Sequence, residues 1–240
     1  MRYEFVGVES ANNTQFISPN NFIGTDTEKI QSAVDYAISN NKIVFIDYNK
    51  EKASNQWDIE EAIELPSNAT IYIDGVKLKL TDTSRDNMFR SANAGVGKTD
   101  VLSNRLQNIV IKGLNGAVLE GASNPRATGD TAKTLSVTGT TATNSLSYGS
   151  DTGVVGEIQT GDWRNYLVLL ACVDGIEVSG LTVNDAHAWA IVLDRCNNFI
   201  VDRIDFSLPL KRTINGNTRY VKNADGINIR TSAKNGVISN

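Results

Sequence analysis

Beyond residue 24 the chain is a succession of short apolar runs, each opening at an Asn, Asp or Gly corner. The one run with a different period comes first. Ile30, Val34, Ala37 and Ile38 recur at helical spacing to make one apolar face, and Thr25, Asp26 and Thr27 offer side-chain oxygens to cap it. A helix over 25–40 is predicted, ended at Asn40-Asn41, with residues 1–24 an irregular, turn-rich entry segment. Residues 43–48 follow as a strand of β-branched and aromatic side chains, and Ile71, Ile73 and the run 76–80 form another stretch after Pro66-Ser67-Asn68.

The later runs repeat one another. Residues 106–113 align with 173–180, 196–203 is a slightly shorter version, and 233–240 is a fourth copy. Their alternating side chains, with Val183, Ile191, Leu193, Ile227 and Ile229, read as an interior that includes Ile109, Ile111, Ile176 and Val178. A recurring unit of about 25 residues is the mark of a parallel β-solenoid, here of about six to eight coils, each adding ~4.8 Å along the stack. An antiparallel sandwich would instead need hairpin turns between adjacent strands. Asparagines at aligned corners tolerate left-handed backbone and bond to the Asn above and below. The predicted fold class is all-β, a parallel β-helix over 25–240 whose first coil is covered by the N-terminal helix.

Two stretches, 81–100 and 121–161, interrupt the rungs. The first contains Gly95-Val96-Gly97-Lys98-Thr99, but the upstream glycine of a phosphate loop is Ala92, and no strand-loop-helix context surrounds it. Nucleotide binding is rejected. The second is rich in Ser, Thr and Gly, and reads either as a wall beside a saccharide groove or as a surface loop.

Charge and composition narrow the partners. The net charge of −4 leaves no basic footprint for nucleic acid. Arg164, Arg195, Lys211, Arg212, Arg219 and Lys222 cluster late in the chain, where they serve either an acidic ligand or a solvated surface. Cys172 and Cys196 lie 24 residues apart, a separation suited to successive coils; buried reduced thiols are expected over a disulfide. A single histidine, His187, excludes a multi-histidine metal site, and no cofactor is expected. Met1-Arg2-Tyr3-Glu4-Phe5 has no apolar signal core, and no run reaches membrane-spanning length, so no membrane partner is expected. Location stays open: extracellular or particle-associated, if a leader was removed or is not needed.

Three motifs in order carry a resemblance. Asn223-Ala224-Asp225-Gly226-Ile227 is similar to the Asn-Thr-Asp-Gly-Ile-Asp segment of polygalacturonase-type pectin hydrolases, with Ala224 in place of the usual Thr. Upstream, Arg164-Asn165-Tyr166-Leu167-Val168-Leu169 with Cys172 and Gly180-Leu181-Thr182-Val183-Asn184 resembles the family's coil before the catalytic region. Ala186-His187-Ala188-Trp189-Ala190-Ile191 resembles its Ser-Pro-x-Trp coil. Near the start, Gly24-Thr25-Asp26-Thr27 followed by Ile30-Gln31-Ser32-Ala33 resembles the opening of many pectin-lyase-like β-helices. The family resemblance covers 162–240 well and the rest at the level of architecture. It implies a right-handed parallel β-helix and an inverting glycoside hydrolase acting on pectic or related acidic polysaccharide. In such an enzyme one carboxyl group protonates the leaving oxygen, and a second, ~6.5–9.5 Å away, activates water. Asp225 matches a family carboxylate that helps activate the water, with Asn223 shaping the site. The family's Asp-Asp pair, Gly-His-Gly and Arg-x-Lys have no counterpart here, so the general acid is missing and the 240-residue chain is expected to be inactive as a fragment.

Each candidate also has a plain structural use. Asp225 before Gly226 is a common turn pairing. His187 either contacts sugar or is a packed, hydrogen-bonded residue beside Trp189. Trp189, alternating with Ile191 and Leu193, is expected to face the core. Trp163 is the better sugar-stacking candidate, and Asp162 and Arg164 belong to the cleft or pair on the surface. A non-catalytic glycan-binding β-helix, such as a phage tail appendage or adhesin, is the alternative function. A coil edge at Asn240 is expected to promote self-association.

Overall fold

The computed structural model describes residues 15–82, 84, 86–94, 103–123, 133–134, 158–159, 166–186, 189–207, 211–214, 217–220 and 225–240. The short strand β1 (Phe16–Ile17) and a 3-10 turn at Pro19–Asn21 lead into α1 (Asp26–Asn40). α1 starts where its chemistry dictates. The Thr25 hydroxyl accepts the Glu28 N–H at 3.3 Å, and the Glu28 carboxylate accepts the Thr25 N–H at 2.8 Å, so two otherwise orphaned donors are satisfied reciprocally. Asn41, left-handed at φ 53°, ends it.

The remainder is predominantly β and mostly parallel. β2 (Ile43–Ile46), β3 (Gln56–Ile59) and β4 (Ile63–Leu65) are followed by β5 (Thr70–Asp74), β6 (Lys77–Leu80) and β7 (Phe89–Ser91). Next come β8 (Leu106–Leu114), β9 (Val118–Glu120), the two-residue strands β10 (Lys133–Thr134) and β11 (Ile158–Gln159), and β12 (Val168–Ala171). β13 (Val173–Asn184) and β14 (Ile191–Asp194) precede β15 (Asn197–Ser207), the hairpin β16 (Lys211–Ile214) and β17 (Asn217–Tyr220), β18 (Ile227–Arg230) and β19 (Lys234–Ser239). Two sheets hold most of them, and both are parallel throughout: one of ten strands, the other ordered β18-β14-β12-β7-β4. Antiparallel pairing joins β10 to β11 and β16 to β17. β7 lies inside the 81–100 stretch that reads as an interruption, and β10 and β11 inside 121–161.

Register explains the core. Ile17, Val44, Ile71, Ile111, Val178, Val201 and Ile238 stack strand upon strand in one column. In the ten-stranded sheet's other arm Trp57, Leu78, Leu119, Val183 and Phe206 form a second column. In the five-stranded sheet Ile63, Phe89, Val168, Ile191 and Ile227 form a third. Three inward columns, each fed by parallel strands that return to the next register position, are consistent with a β-solenoid. Of the residues expected inside, Ile109, Ile111, Ile176, Val178, Val183, Ile191 and Leu193 are buried and Ile227 is partly buried, whereas Ile229 is 39% exposed, since among the described residues β18 is the edge strand of its sheet. At the opposite end α1 packs Ile30, Ala33, Val34 and Ala37 into the same core, against β1, β2, β3 and β4.

One buried ionic group fastens that helix. Asp26 accepts hydrogen bonds from Asn49 Nδ2 at 2.9 Å, Lys52 Nζ at 2.8 Å and the Asp58 backbone N–H at 2.7 Å. A buried carboxylate so fully partnered ties the first turn of α1 to the β2–β3 connection and to β3. The cysteines are both free and buried, and they are offset by one position. The Asp174–Asn197 register sets a step of 23 residues between β13 and β15 (197 − 174), so the 24-residue separation puts Cys172 beside Arg195 rather than Cys196.

Candidate functional site

The site builds up on the outer surface of the five-stranded sheet. Alternation along β14 sends Ile191 and Leu193 into the main core and leaves Val192 and Asp194 on the other side. The same rule on β18, whose Ile227 packs against the core, turns Asn228 and Arg230 outward. Leu169, Val192 and Asn228 therefore form one outer column, Asp194 and Arg230 the next.

Leu169 and Val192 are covered by a small aromatic cluster of their own, with Tyr166 and Trp189. The two rings stack at 5.4 Å between centroids and 22° between planes. Trp189 does not face the core as its alternation with Ile191 and Leu193 suggests. β14 begins only at Ile191, and the strand period does not extend back through Ala190 to Trp189, so the indole emerges half-buried on the outside.

Asp225 stands one rung above Trp189, at the same register position. Its backbone carbonyl accepts the Ala190 N–H at 3.1 Å, and Gly226 accepts that of Ile191 at 3.0 Å. The carboxylate is exposed and accepts a hydrogen bond from Asn228 Nδ2 at 2.7 Å. The other face of that amide is confined: Asn228 Oδ1 is buried with no hydrogen-bond partner. Arg230 lies with its guanidinium 5.5 Å from the Trp189 ring centroid, a cation–π contact. The neighbouring acid, Asp194, is engaged by Arg195 at 2.8 Å.

At the far end of the same outer surface the charges are neutralised. Arg90 donates to Asp86 and, at 3.1 Å, to Glu64. Burial pushes the Asp86 carboxyl above its ordinary value against the pull of Arg90. Burial likewise raises the Cys196 thiol to about 12, which leaves it a packing residue rather than a nucleophile.

Of the residues the sequence singles out, Asp225 lies within the described residues, on the rung above Trp189, whereas Asn223, His187, Trp163 and Arg164 lie outside them, as do Asp162 and Lys222. Arg195 pairs with Asp194; Lys211, Arg212 and Arg219 fall on the β16–β17 hairpin. Sequence reasoning missed Asn228 and Arg230. The signal was present in 227–230, where an Ile-Asn-Ile-Arg alternation marks its polar members as outward as surely as its isoleucines mark the inside. Among the described residues no three His, Cys, Asp or Glu side chains converge to hold a metal ion. No protein-family model, no curated protein and no solved structure matches the chain. The site therefore rests on its own geometry: an exposed carboxylate, an aromatic pair and a guanidinium on adjacent strands of one parallel sheet.

Proposed function

We propose that the chain is a right-handed parallel β-helix of the polygalacturonase type that takes acidic, pectin-like polysaccharide across the outer surface of β12, β14 and β18. The observation that carries this reading is the placement of Asp225: an exposed carboxylate one rung above a half-buried tryptophan, at the mouth of a strand. Aromatic rings pack against the C–H faces of sugars, and a carboxylate beside them is the group that activates water in glycoside hydrolysis. The order of motifs around Tyr166, Trp189 and Asp225 supports the same assignment, since all three side chains belong to one end of the five-stranded sheet.

Hydrolysis with inversion requires a second carboxylate at ~6.5–9.5 Å. On this outer surface the neighbouring strand carries Asp194, aligned with Arg230 and thus five register positions from Asp225, roughly 16 Å along the strand direction at ~3.3 Å per residue. Asp194 is also engaged by Arg195. Asp225 is therefore read as serving one of the two roles; Asp194 does not stand where the other is needed, and the reading is that the described surface grips glycan without cutting it. The same observation favours the second reading, a non-catalytic glycan-binding β-helix of the kind found on phage tail appendages or adhesins, in which one acid and one aromatic platform suffice.

Reducing-end release and pull-down on polygalacturonate, compared for the wild type and Asp225→Asn, test the proposal. The expected result is retention on the polymer without reducing-end release, and weaker retention of the variant. Absence of any retention on acidic or neutral polysaccharides contradicts it.

A further inference from the structure

We propose that Arg230 is the residue that receives the carboxylate of an acidic sugar; this rests on the glycan-binding reading above. Its situation differs from that of Arg90, Arg105, Arg195 and Arg203. Arg90 holds Glu64 and Asp86, Arg105 holds Asp174 at 3.0 Å, Arg195 holds Asp194 at 2.8 Å, and Arg203 holds Asp202 at 2.8 Å. Among the described residues no carboxylate lies within salt-bridge distance of Arg230, and its side chain meets the Trp189 ring instead. The acids that flank it are each held through one oxygen by another residue, Asp194 Oδ2 on the adjacent strand by Arg195 and Asp225 Oδ2 on the same chain segment by Asn228, and neither is paired with Arg230.

An unneutralised guanidinium laid on an aromatic ring is a receptor for a planar oxyanion. The ring stack Tyr166–Trp189 supports one side of the cation without consuming its N–H donors, which stay available in the fork geometry that matches a carboxylate. Holding the fork in advance lowers the ordering cost of binding. The half-buried indole beside it offers apolar surface to the sugar ring that bears the carboxylate. The partner so defined is a uronic-acid unit, its carboxylate on Arg230 and its ring against the Trp189 edge.

Calorimetric titration with trigalacturonate and with the neutral galactose trisaccharide tests this, using the wild type, Arg230→Gln and Arg230→Lys. Arg230→Gln is expected to weaken trigalacturonate binding about tenfold, with Arg230→Lys intermediate because it keeps the charge but loses the fork. Affinity for the neutral trisaccharide is expected to be the same in all three proteins, which also shows that the variants remain folded. If Arg230→Gln binds trigalacturonate within about twofold of the wild type, the assignment is overturned while the glycan-binding reading stands. If the wild type binds neither trisaccharide, both fall.

Discussion

Gly175 stands directly over Asn108, so close that a Cβ on the glycine would lie 2.9 Å from Asn108 Oδ1. The two belong to a column of left-handed corners, Asn68, Asn108, Gly175, Asn198 and Asn235, with φ of 68°, 54°, 81°, 54° and 57°. Asn108 Nδ2 donates to Asn68 Oδ1 at 3.0 Å and Asn235 Nδ2 to Asn198 Oδ1 at 3.4 Å, so the glycine interrupts an asparagine ladder at its middle rung. Gly175→Ala is expected to lower stability by about 1–3 kcal/mol, through the left-handed backbone and the close approach together. Gly175→Asn is expected to cost less, since Asn tolerates this backbone and has ladder partners on both sides. Urea midpoints rank the two; equal losses would mean that the ladder contributes nothing at this rung.

Glu120 links two strands through its carboxylate, which meets Lys77 at 2.8 Å and also Lys79. Burial alone would raise its pKa, but hydrogen bonds and charge from Lys77 and Lys79 outweigh it and hold the carboxyl below its ordinary value of 4.5. A group whose folded pKa is depressed adds stability above its unfolded pKa and loses it as the pH falls through the folded value. Glu120→Gln is therefore expected to cost about 0.5–1 kcal/mol at pH 7. That difference should shrink toward zero well below pH 4.5, and paired denaturant titrations at neutral and acid pH check it. A penalty that does not change with pH would assign the effect to packing.

Burial raises both thiols, Cys196 to about 12, and neither is bonded to the other. In the native protein both are expected to resist a thiol reagent at pH 8 and to react fully once unfolded in denaturant. Rapid labelling of the native chain would place at least one sulfur at the surface.

β19 pairs with β15 along one edge, and on it Val237 is 56% and Ile238 54% exposed. Ile238 continues the inward column above Val201, and among the described residues β19 is an edge strand paired with β15 alone, so Ile238 is left uncovered. An unprotected apolar edge favours pairing with a second edge. Sedimentation is expected to show concentration-dependent association that Val237→Lys reduces. A wild-type monomer at every concentration would contradict this.

Much of the fold was legible in the chain. The aligned runs 106–113, 173–180, 196–203 and 233–240 became β8, β13, β15 and β19, stacked in the register their alignment implies, Leu106 on Val173 and Asn197 on Lys234. Strand periodicity and helical spacing are local signals, and both survive into the structure. What failed was local too. Strand alternation carried back two residues from Ile191 points Trp189 inward, whereas it lies on the outer face, and β7 is hidden in a polar stretch because Arg90 and Ser91 are buried by partners rather than by apolarity. Ser91 Oγ accepts the Ala171 N–H at 2.9 Å, a bond no periodicity reveals. Of the candidate surface, Asp225 is the residue the sequence singles out within the described residues; Arg230 and Asn228 acquire meaning from neighbours, Arg230 from Trp189 and Asn228 from Asp225 and from Val192 on the next strand.

The central claim, that acidic glycan lies across the outer surface of β12, β14 and β18, is tested most directly by hydrogen–deuterium exchange of the chain alone and saturated with oligogalacturonate. The account predicts slowed exchange in peptides covering 189–194 and 225–230, with those covering 43–46 and 70–74 unchanged. Protection confined to the other strands, or none at saturating ligand, would contradict it.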